Sequence, residues 1–186
     1  KCAAVKREFG AFESCDSDLC YDGLYGSRIE TCGRGARVGR GRIQLASGGL
    51  LTLVNFHGSS GFGAEEIACR ALQVEQVFVD LGDGQPAADG ALNLILGDFN
   101  TDPRDESVLE IDASAQRWAD FVGEGLAFHF VNPRIQSYAD LFCIDNLVSD
   151  VLEGECWVPG YSDGHLSVSP EGFFDHEPTV CRIPLP

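Results

Sequence analysis

Two stretches of the chain show hydrophobic patterns that identify their secondary structure. Residues 40–46 and 50–57 are rich in β-forming side chains and flank a Ser-Gly-Gly turn, which predicts a β-hairpin. In residues 64–81 the apolar side chains recur every three or four positions, with Arg70 and Gln73 on the opposite, polar side. This spacing predicts an amphipathic helix.

The remaining pattern predicts a layered fold. Residues 92–96 are almost wholly apolar, as expected of a central strand that is covered on both faces. A polar loop is predicted for residues 13–37 and a second helix for residues 106–121. Shorter strands are predicted at residues 3–9, 127–131, 142–148, 152–158 and 179–185. We expect an α/β (α+β) fold, a four-layer sandwich of two mostly antiparallel sheets packed face to face with helices outside, in one domain over residues 1–186.

The charge balance limits the kinds of partner. Acidic residues outnumber basic ones by 29 to 13, and the formal net charge is -16. Affinity for nucleic acid comes largely from lysine and arginine side chains that neutralise phosphates, so we expect no stable nucleic-acid complex. The balance does not exclude an enzyme that turns nucleic acid over.

Cysteine usage indicates the compartment. The chain has eight cysteines and no paired Cys-x-x-Cys motif, so disulfides are favoured over a structural zinc site. Disulfides imply secretion or a bacterial periplasm. The pairing is not deducible, although Cys15 and Cys20 are a candidate pair within one loop. There is no membrane-spanning apolar run, no signal peptide and no methionine, and we expect an upstream segment of the same protein to be missing.

The sharpest chemical motif is Gly-Asp-Phe-Asn at residues 97–100, directly after the apolar strand. Asp98 and Asn100 are separated by one residue and are expected to project to the same side, where together they can hold a hydrated divalent cation and a phosphate oxygen. The alternative is an Asx-rich turn after a buried strand, because these residue types also favour turns.

Three further segments carry polar groups next to apolar strands. His57 ends the second strand of the hairpin, and Asp145 lies within a hydrophobic strand, where an unpaired charge is costly. Asp175 and His176 stand together just before the last strand. From residue 40 onwards, this ordered set resembles the endonuclease/exonuclease/phosphatase superfamily, which includes deoxyribonuclease I-like nucleases.

The resemblance implies a role for each position. His176 acts as the general base or orients the phosphate, while Asp145 fixes its neighbours or the attacking water. Asp98 aligns the nucleophile, Asn100 holds the phosphate and His57 stabilises the transition state.

The resemblance also implies a cofactor and a phosphate contact. Mg²⁺ (or Mn²⁺ or Ca²⁺) is expected, with Asp98, Asn100 and Asp175 as metal ligands, and Asp175 alternatively orients His176. Arg40 lies where related enzymes often have a phosphate-contacting arginine, and the alternative for it is an exposed cation on a loop.

Two features depart from the family pattern. The early asparagine and the glutamate that is the principal metal ligand have no convincing match, and both are expected in the missing upstream segment. Phe174 stands before Asp175, where the family commonly has a small hydroxyl residue.

The leading functional prediction is a secreted, metal-dependent nuclease that acts on a phosphodiester substrate. A sphingomyelinase-like enzyme or a phosphoinositide phosphatase is the alternative with the same chemistry, and the acidic charge keeps it open. A non-catalytic, disulfide-stapled binding module is the alternative of another class. It predicts that at least one of the polar residues is displaced from a common pocket.

Overall fold

The computed structural model describes residues 4–21, 23–33, 38–139, 141–159 and 176–185. Their strands are β1 (Gly10–Phe12), β2 (Cys20–Tyr21), β3 (Leu24–Tyr25), β4 (Gly39–Leu45), β5 (Leu50–His57), β6 (Asn93–Asp98), β7 (His129–Phe130), β8 (Asp145–Ser149), β9 (Glu155–Trp157) and β10 (Val180–Arg182). Their helices are α1 (Ala64–Phe78), α2 (Glu106–Leu109) and α3 (Ala113–Ala119).

Eight strands form one mixed sheet in the order β2-β3-β4-β5-β6-β8-β7, and β1 pairs with β4. Strands β5 and β6 are parallel neighbours, and the other pairs in this sheet are antiparallel. Helix α1 connects β5 to β6, as a parallel pair requires a crossover connection. Strands β9 and β10 form a second, antiparallel sheet. The predicted α/β class with mostly antiparallel sheets is confirmed.

The large sheet is covered on both faces because its central strands alternate two sets of apolar side chains. In β5, Val54 and Phe56 face the helices, while Leu51 and Leu53 face the opposite side. The helical face adds the buried residues Val74, Val77, Ile95, Phe99, Trp118 and Val148. The opposite face is covered by Leu152, Ile183 and Leu185, which flank the second sheet. This places helices outside and the two sheets together, as predicted.

Helix α1 begins where predicted and ends at Phe78. The assignment of Arg70 and Gln73 to a solvated polar side is wrong, because their exposed fractions are 1% and 0%. The second predicted helix is two short helices instead. Asp112 accepts hydrogen bonds from the backbone N–H groups of Ser114 and Ala115, so it starts a new helix within the predicted one.

The N-terminal region differs most from prediction. The strand expected at residues 3–9 is wrong, since the described part of that range forms a turn and β1 follows it, paired with β4. The predicted loop contains the short hairpin of β2 and β3. The Cys15–Cys20 disulfide is confirmed, and two more disulfides join Cys32 to Cys69 and Cys156 to Cys181. Within the described ranges, no helix combines the length and apolarity needed to cross a bilayer.

Candidate active site

Three adjacent strands place three of the predicted residues in one row. His57 at the end of β5 is the register partner of Asp98 at the end of β6, and Asp98 is the partner of Asp145 at the start of β8. Side chains of paired residues on neighbouring strands point to the same face of a sheet. An imidazole and two carboxylates therefore meet at this edge.

Two glycines allow the strands to approach closely here. Gly97 has φ = 141°, and a Cβ atom on it would lie 1.9 Å from the Phe56 carbonyl oxygen. A Cβ atom on Gly58 would lie 2.3 Å from the Phe99 carbonyl oxygen. The glycine of the Gly-Asp-Phe-Asn motif thus has a steric cause, because any side chain at Gly97 would separate β5 from β6.

His176 reaches the same row from a distant part of the chain. Its Nδ1 atom lies 2.7 Å from Oδ2 of Asp145. The backbone N–H of Glu177 donates to the Ser137 carbonyl oxygen, and the Tyr138 ring centroid lies 4.7 Å from that of the imidazole. A carboxylate only accepts hydrogen bonds, so Nδ1 carries the proton in this pair.

The two imidazoles flank one carboxylate. Oδ2 of Asp98 lies 3.7 Å from Nε2 of His57 and 3.8 Å from Nε2 of His176. These side chains are partly exposed, with 49% exposure for His57, 27% for His176 and 14% for Asp98. They line one cavity of about 900 Å³. All five predicted catalytic residues line it, namely His57, Asp98, Asn100, Asp145 and His176.

Asn100 shapes the loop behind this row. Its φ is 51°, in the left-handed region that asparagine tolerates. Its backbone N–H donates to Oδ1 of Asp98, and its Nδ2 donates to Oδ2 of Asp98 and to the Gly58 carbonyl oxygen. The turn interpretation of the motif is therefore confirmed, and the cation and phosphate roles of Asp98 and Asn100 stay predictions. To donate to a phosphate oxygen, Nδ2 of Asn100 would have to give up its hydrogen bond to Asp98 or its hydrogen bond to the Gly58 carbonyl oxygen.

One predicted residue, Arg40, does not line the cavity, and another cannot be placed. Arg40 is not among the lining residues, because its guanidinium donates to Asp83, to Asp89 and to the Pro86 carbonyl oxygen. These bonds engage its guanidinium in this structure, and the phosphate-binding role of Arg40 stays a prediction. The predicted metal ligand Asp175 lies outside the described residues.

Gln73 is a positioning residue that sequence reasoning missed. Its Nε2 donates to the His57 carbonyl oxygen at 2.9 Å, and its Oε1 accepts from the Ser59 backbone N–H at 2.8 Å. The side chain thus holds the backbone on either side of Gly58. In the sequence, Gln73 lies about one helical turn after Arg70, on the helix that follows the strand ending in His57. The amphipathic pattern assigned Gln73 to the surface, so its contact with the site was not predicted.

Arg70 holds the same loop from beneath. Its guanidinium donates to the carbonyl oxygens of Ser59 and Gly61 and to Oδ2 of Asp112 at 2.8 Å. Its Nε donates to the Ser114 hydroxyl. A buried guanidinium needs this number of acceptors, since each unpaired donor costs free energy. Arg70 therefore fixes the loop between β5 and α1.

The Arg70 network also changes the ionisation of Asp112. Burial by itself raises the pKa of this carboxyl, but hydrogen bonds from Ser114, Arg70 and Thr101 and the charge of Arg70 outweigh burial, so the pKa is lowered. Asp112 lines the cavity with its charge already balanced.

The cavity beyond the polar row is largely apolar. Its wall contains Phe62, Ile67, Val108, Ile111, Phe142 and Ile144. No lysine or arginine is among the described residues that line it. The sequence of residues 160–175 contains neither residue type. Among the described lining residues, the groups that can carry a charge near neutral pH are carboxylates and imidazoles.

The oxygen donors suit a hard divalent cation. Asp98 and Asp145 offer carboxylates and Asn100 offers an amide oxygen, the ligand types that Mg²⁺ takes. Among the residues that the structure describes, no group of three or more His, Cys, Asp or Glu side chains is arranged to hold a metal ion. Mg²⁺ usually keeps several waters and uses one or two carboxylates together with substrate phosphate, so this donor set fits that mode.

Comparison with solved structures places this fold in a known group. An endonuclease/exonuclease/phosphatase protein from Beutenbergia cavernae DSM 12333 is 14% identical, with a TM-score of 0.53 over 87% of this chain and 45% of that chain. TDP2 from C. elegans is 14% identical, with a TM-score of 0.49 over 82% and 45% of the two chains. The cytolethal distending toxin from Actinobacillus actinomycetemcomitans is 10% identical, with a TM-score of 0.39 over 95% and 81%.

No protein-family model matches the sequence, and no curated protein matches it. The structural likeness establishes the fold: the chain has the α/β sandwich of the endonuclease/exonuclease/phosphatase group. The chain spans about 45% of the length of the Beutenbergia structure. The predicted resemblance is confirmed at the level of fold, and the chemistry rests on the residues of this chain.

Proposed function

We propose that this protein hydrolyses phosphodiester bonds with the help of a divalent cation. The observation that supports the proposal is the Asp145–His176 pair, 2.7 Å apart, beside Asp98 and His57 in one open cavity. Hydrolysis of a diester needs a proton acceptor for water, charge neutralisation at the phosphate and stabilisation of the leaving oxygen. Imidazoles and a cation supply these functions.

In this proposal, Asp145 holds the proton on Nδ1 of His176, and Nε2 is the ring nitrogen that acts as the base. Nε2 of His176 takes a proton from the attacking water as the water adds to phosphorus. His57 stands on the other side of Asp98 and donates to the phosphate or to the leaving oxygen when it is protonated. Asp98 aligns the water between the two rings.

A bound cation supplies Lewis-acid stabilisation of the charge on phosphate oxygens. Asp98, Asn100 and Asp145 are the described residues that would hold it. Asp175 stays a predicted ligand. General acid–base catalysis typically contributes about 10²- to 10⁴-fold, so positioning and the cation provide the remaining rate enhancement.

Export and domain organisation belong to the same proposal. Three disulfides support an oxidising compartment, outside the cell or in a periplasm. We also propose that residues 1–186 fold as one domain, because the second sheet packs against the large sheet through a shared apolar cluster.

The non-catalytic alternative required that at least one polar residue be displaced from a common pocket. The described four of its five residues, Asp98, Asn100, Asp145 and His176, all line one cavity, which favours the enzyme, and Asp175 lies outside the described residues. Nucleic acid stays the first substrate predicted from the sequence, and the cavity wall favours a different one.

The test is a substrate panel. Plasmid DNA, RNA, sphingomyelin and a phosphatidylinositol phosphate are assayed side by side with Mg²⁺ and with a chelator. We expect turnover of at least one substrate with Mg²⁺ and loss of that turnover with the chelator. No turnover of any substrate would reject the proposed function, and turnover that survives the chelator would reject the metal dependence.

A further inference from the structure

A row of aromatic rings runs outward from the reactive imidazole. The Tyr138 ring centroid lies 4.7 Å from that of His176 and 6.0 Å from that of Phe142. The Phe142 centroid in turn lies 6.3 Å from that of Phe62. The outer ring, Phe62, is 83% exposed. An apolar surface therefore begins at the candidate catalytic group and continues along the cavity wall.

Aliphatic side chains extend this surface on the neighbouring wall. Ile111 is 79% exposed, and Val108 and Ile67 line the same cavity. Single exposed apolar residues are common on protein surfaces, but a contiguous apolar patch next to a polar centre indicates a ligand site. These residues come from separate segments and converge on one cavity.

The loop that presents Phe62 is held in place. Arg70, buried in the protein, donates to the Gly61 carbonyl oxygen at 2.7 Å and to the Ser59 carbonyl oxygen at 2.7 Å. Phe62 thus stands on a loop whose backbone is tied to α1. The backbone of this loop is fixed by Arg70, while the Phe62 ring is exposed to the cavity. This arrangement suits an apolar wall that is formed before a ligand binds.

The charges of the described cavity lining disfavour a polyanion with many phosphates. Strong binding of nucleic acid requires basic side chains along the backbone path, even where aromatic rings stack on bases. No lysine or arginine is among the described lining residues, and none occurs in the sequence of residues 160–175. The site therefore matches a ligand with one phosphodiester and a large apolar group.

We infer that the substrate is a phospholipid-type diester, whose single phosphodiester meets His176 while its hydrocarbon part lies along Phe142, Phe62 and Ile111. This inference rests on the proposed hydrolase function and names its substrate class. Water adds to phosphorus, the bond from phosphorus to the lipid oxygen breaks, and that oxygen takes up a proton. The products are a phosphomonoester and a lipid alcohol.

Binding and hydrolysis are tested separately. Calorimetry compares dodecylphosphocholine, below its critical micelle concentration, with glycerophosphocholine, which has the same headgroup and no chain. We expect the dodecyl ligand to bind at least about tenfold more tightly, and Phe62→Ser to lower this preference by about tenfold. The matched control is Tyr21→Ser, since Tyr21 is 82% exposed and is not among the lining residues. It should leave the preference unchanged.

Several results would overturn the inference. These are equal binding of the two ligands, an equal loss of preference in Tyr21→Ser, or tighter binding of a dinucleotide that Phe62→Ser weakens. Hydrolysis of bis(p-nitrophenyl) phosphate is measured in parallel. If it proceeds without any chain preference, only the substrate class is wrong. If neither this diester nor a short-chain phosphatidylcholine is hydrolysed, the proposed function fails while an intact chain preference still supports the apolar subsite.

Discussion

Asp112 and Asp145 line the same cavity and each is paired with a basic side chain, but the two partners differ in kind. Asp112 bonds to Arg70, whose guanidinium is buried and saturated with acceptors. Asp145 bonds to the half-buried imidazole of His176. An arginine stays protonated, whereas an imidazole exchanges a proton near neutral pH. We therefore assign a structural role to the first pair and propose a catalytic role for the second.

The largest expected effect comes from Asp145→Asn. An amide no longer enforces the proton on Nδ1 of His176, so we expect kcat/KM for bis(p-nitrophenyl) phosphate to fall about 10³-fold. The midpoint of thermal unfolding should stay nearly unchanged. The matched control is Asp120→Asn, because that carboxylate pairs with Arg117 on the surface. If Asp145→Asn lowers kcat/KM by less than about tenfold, the Asp145–His176 pair does not have the catalytic role that distinguishes it from the Asp112–Arg70 pair.

Arg70→Met tests the other side of the comparison. It leaves Asp112 partly buried without its cation, so the free energy of unfolding in urea should fall by about 3–5 kcal/mol. Arg117→Met is the control, because its ion pairs with Glu75 and Asp120 are more exposed and should cost less than about 1 kcal/mol. Equal losses of unfolding free energy in the two variants would show that burial does not determine how much the Arg70–Asp112 pair stabilises the protein.

The pH dependence of stability isolates Asp112. Its pKa is lowered in the folded protein, so its contribution is fully present above the ordinary value of 3.8 and is lost as pH falls through the folded value. Between about pH 6 and about pH 3, the wild type should lose up to about 1 kcal/mol more than Asp112→Asn. Urea unfolding at both pH values measures the difference. A larger loss in Asp112→Asn would contradict the assigned direction.

The smallest effect on catalysis is expected from Arg40→Met. Arg40 bonds to Asp83 and Asp89 and is not among the residues lining the cavity, so kcat/KM should change by less than about twofold. Arg42→Met, which also loses a bond to Asp89, is the companion variant. If kcat/KM falls by more than about tenfold in Arg40→Met but not in Arg42→Met, Arg40 takes part in the site.

The sequence predicted the features that depend on local pattern. The hairpin of β4 and β5, helix α1 and strand β6 are where the alternation and helical spacing indicated. The polar residues at strand ends were also identified, because a charged or imidazole group next to an apolar strand is conspicuous in sequence.

The misjudged residues depend on contacts that are distant along the chain. Arg70 and Gln73 were placed on a solvated side because a helical pattern does not show that a loop folds over that side. Their acceptors, such as Asp112 and Ser114, lie up to 44 positions away. The carboxylate partners of Arg40 were not predicted, because they lie 43 or more positions away. Phe62 carried no local signal, since a phenylalanine between two glycines gives no periodicity.

The central claim is that His176, oriented by Asp145, faces a scissile phosphodiester in this cavity. The direct measurement is kcat/KM of the wild type and of His176→Ala, with Mg²⁺, on whichever diester the wild type hydrolyses. Circular dichroism confirms that both proteins are folded. We expect His176→Ala to lose at least about 10²-fold of the activity. Unchanged turnover in a folded His176→Ala protein would contradict the claim.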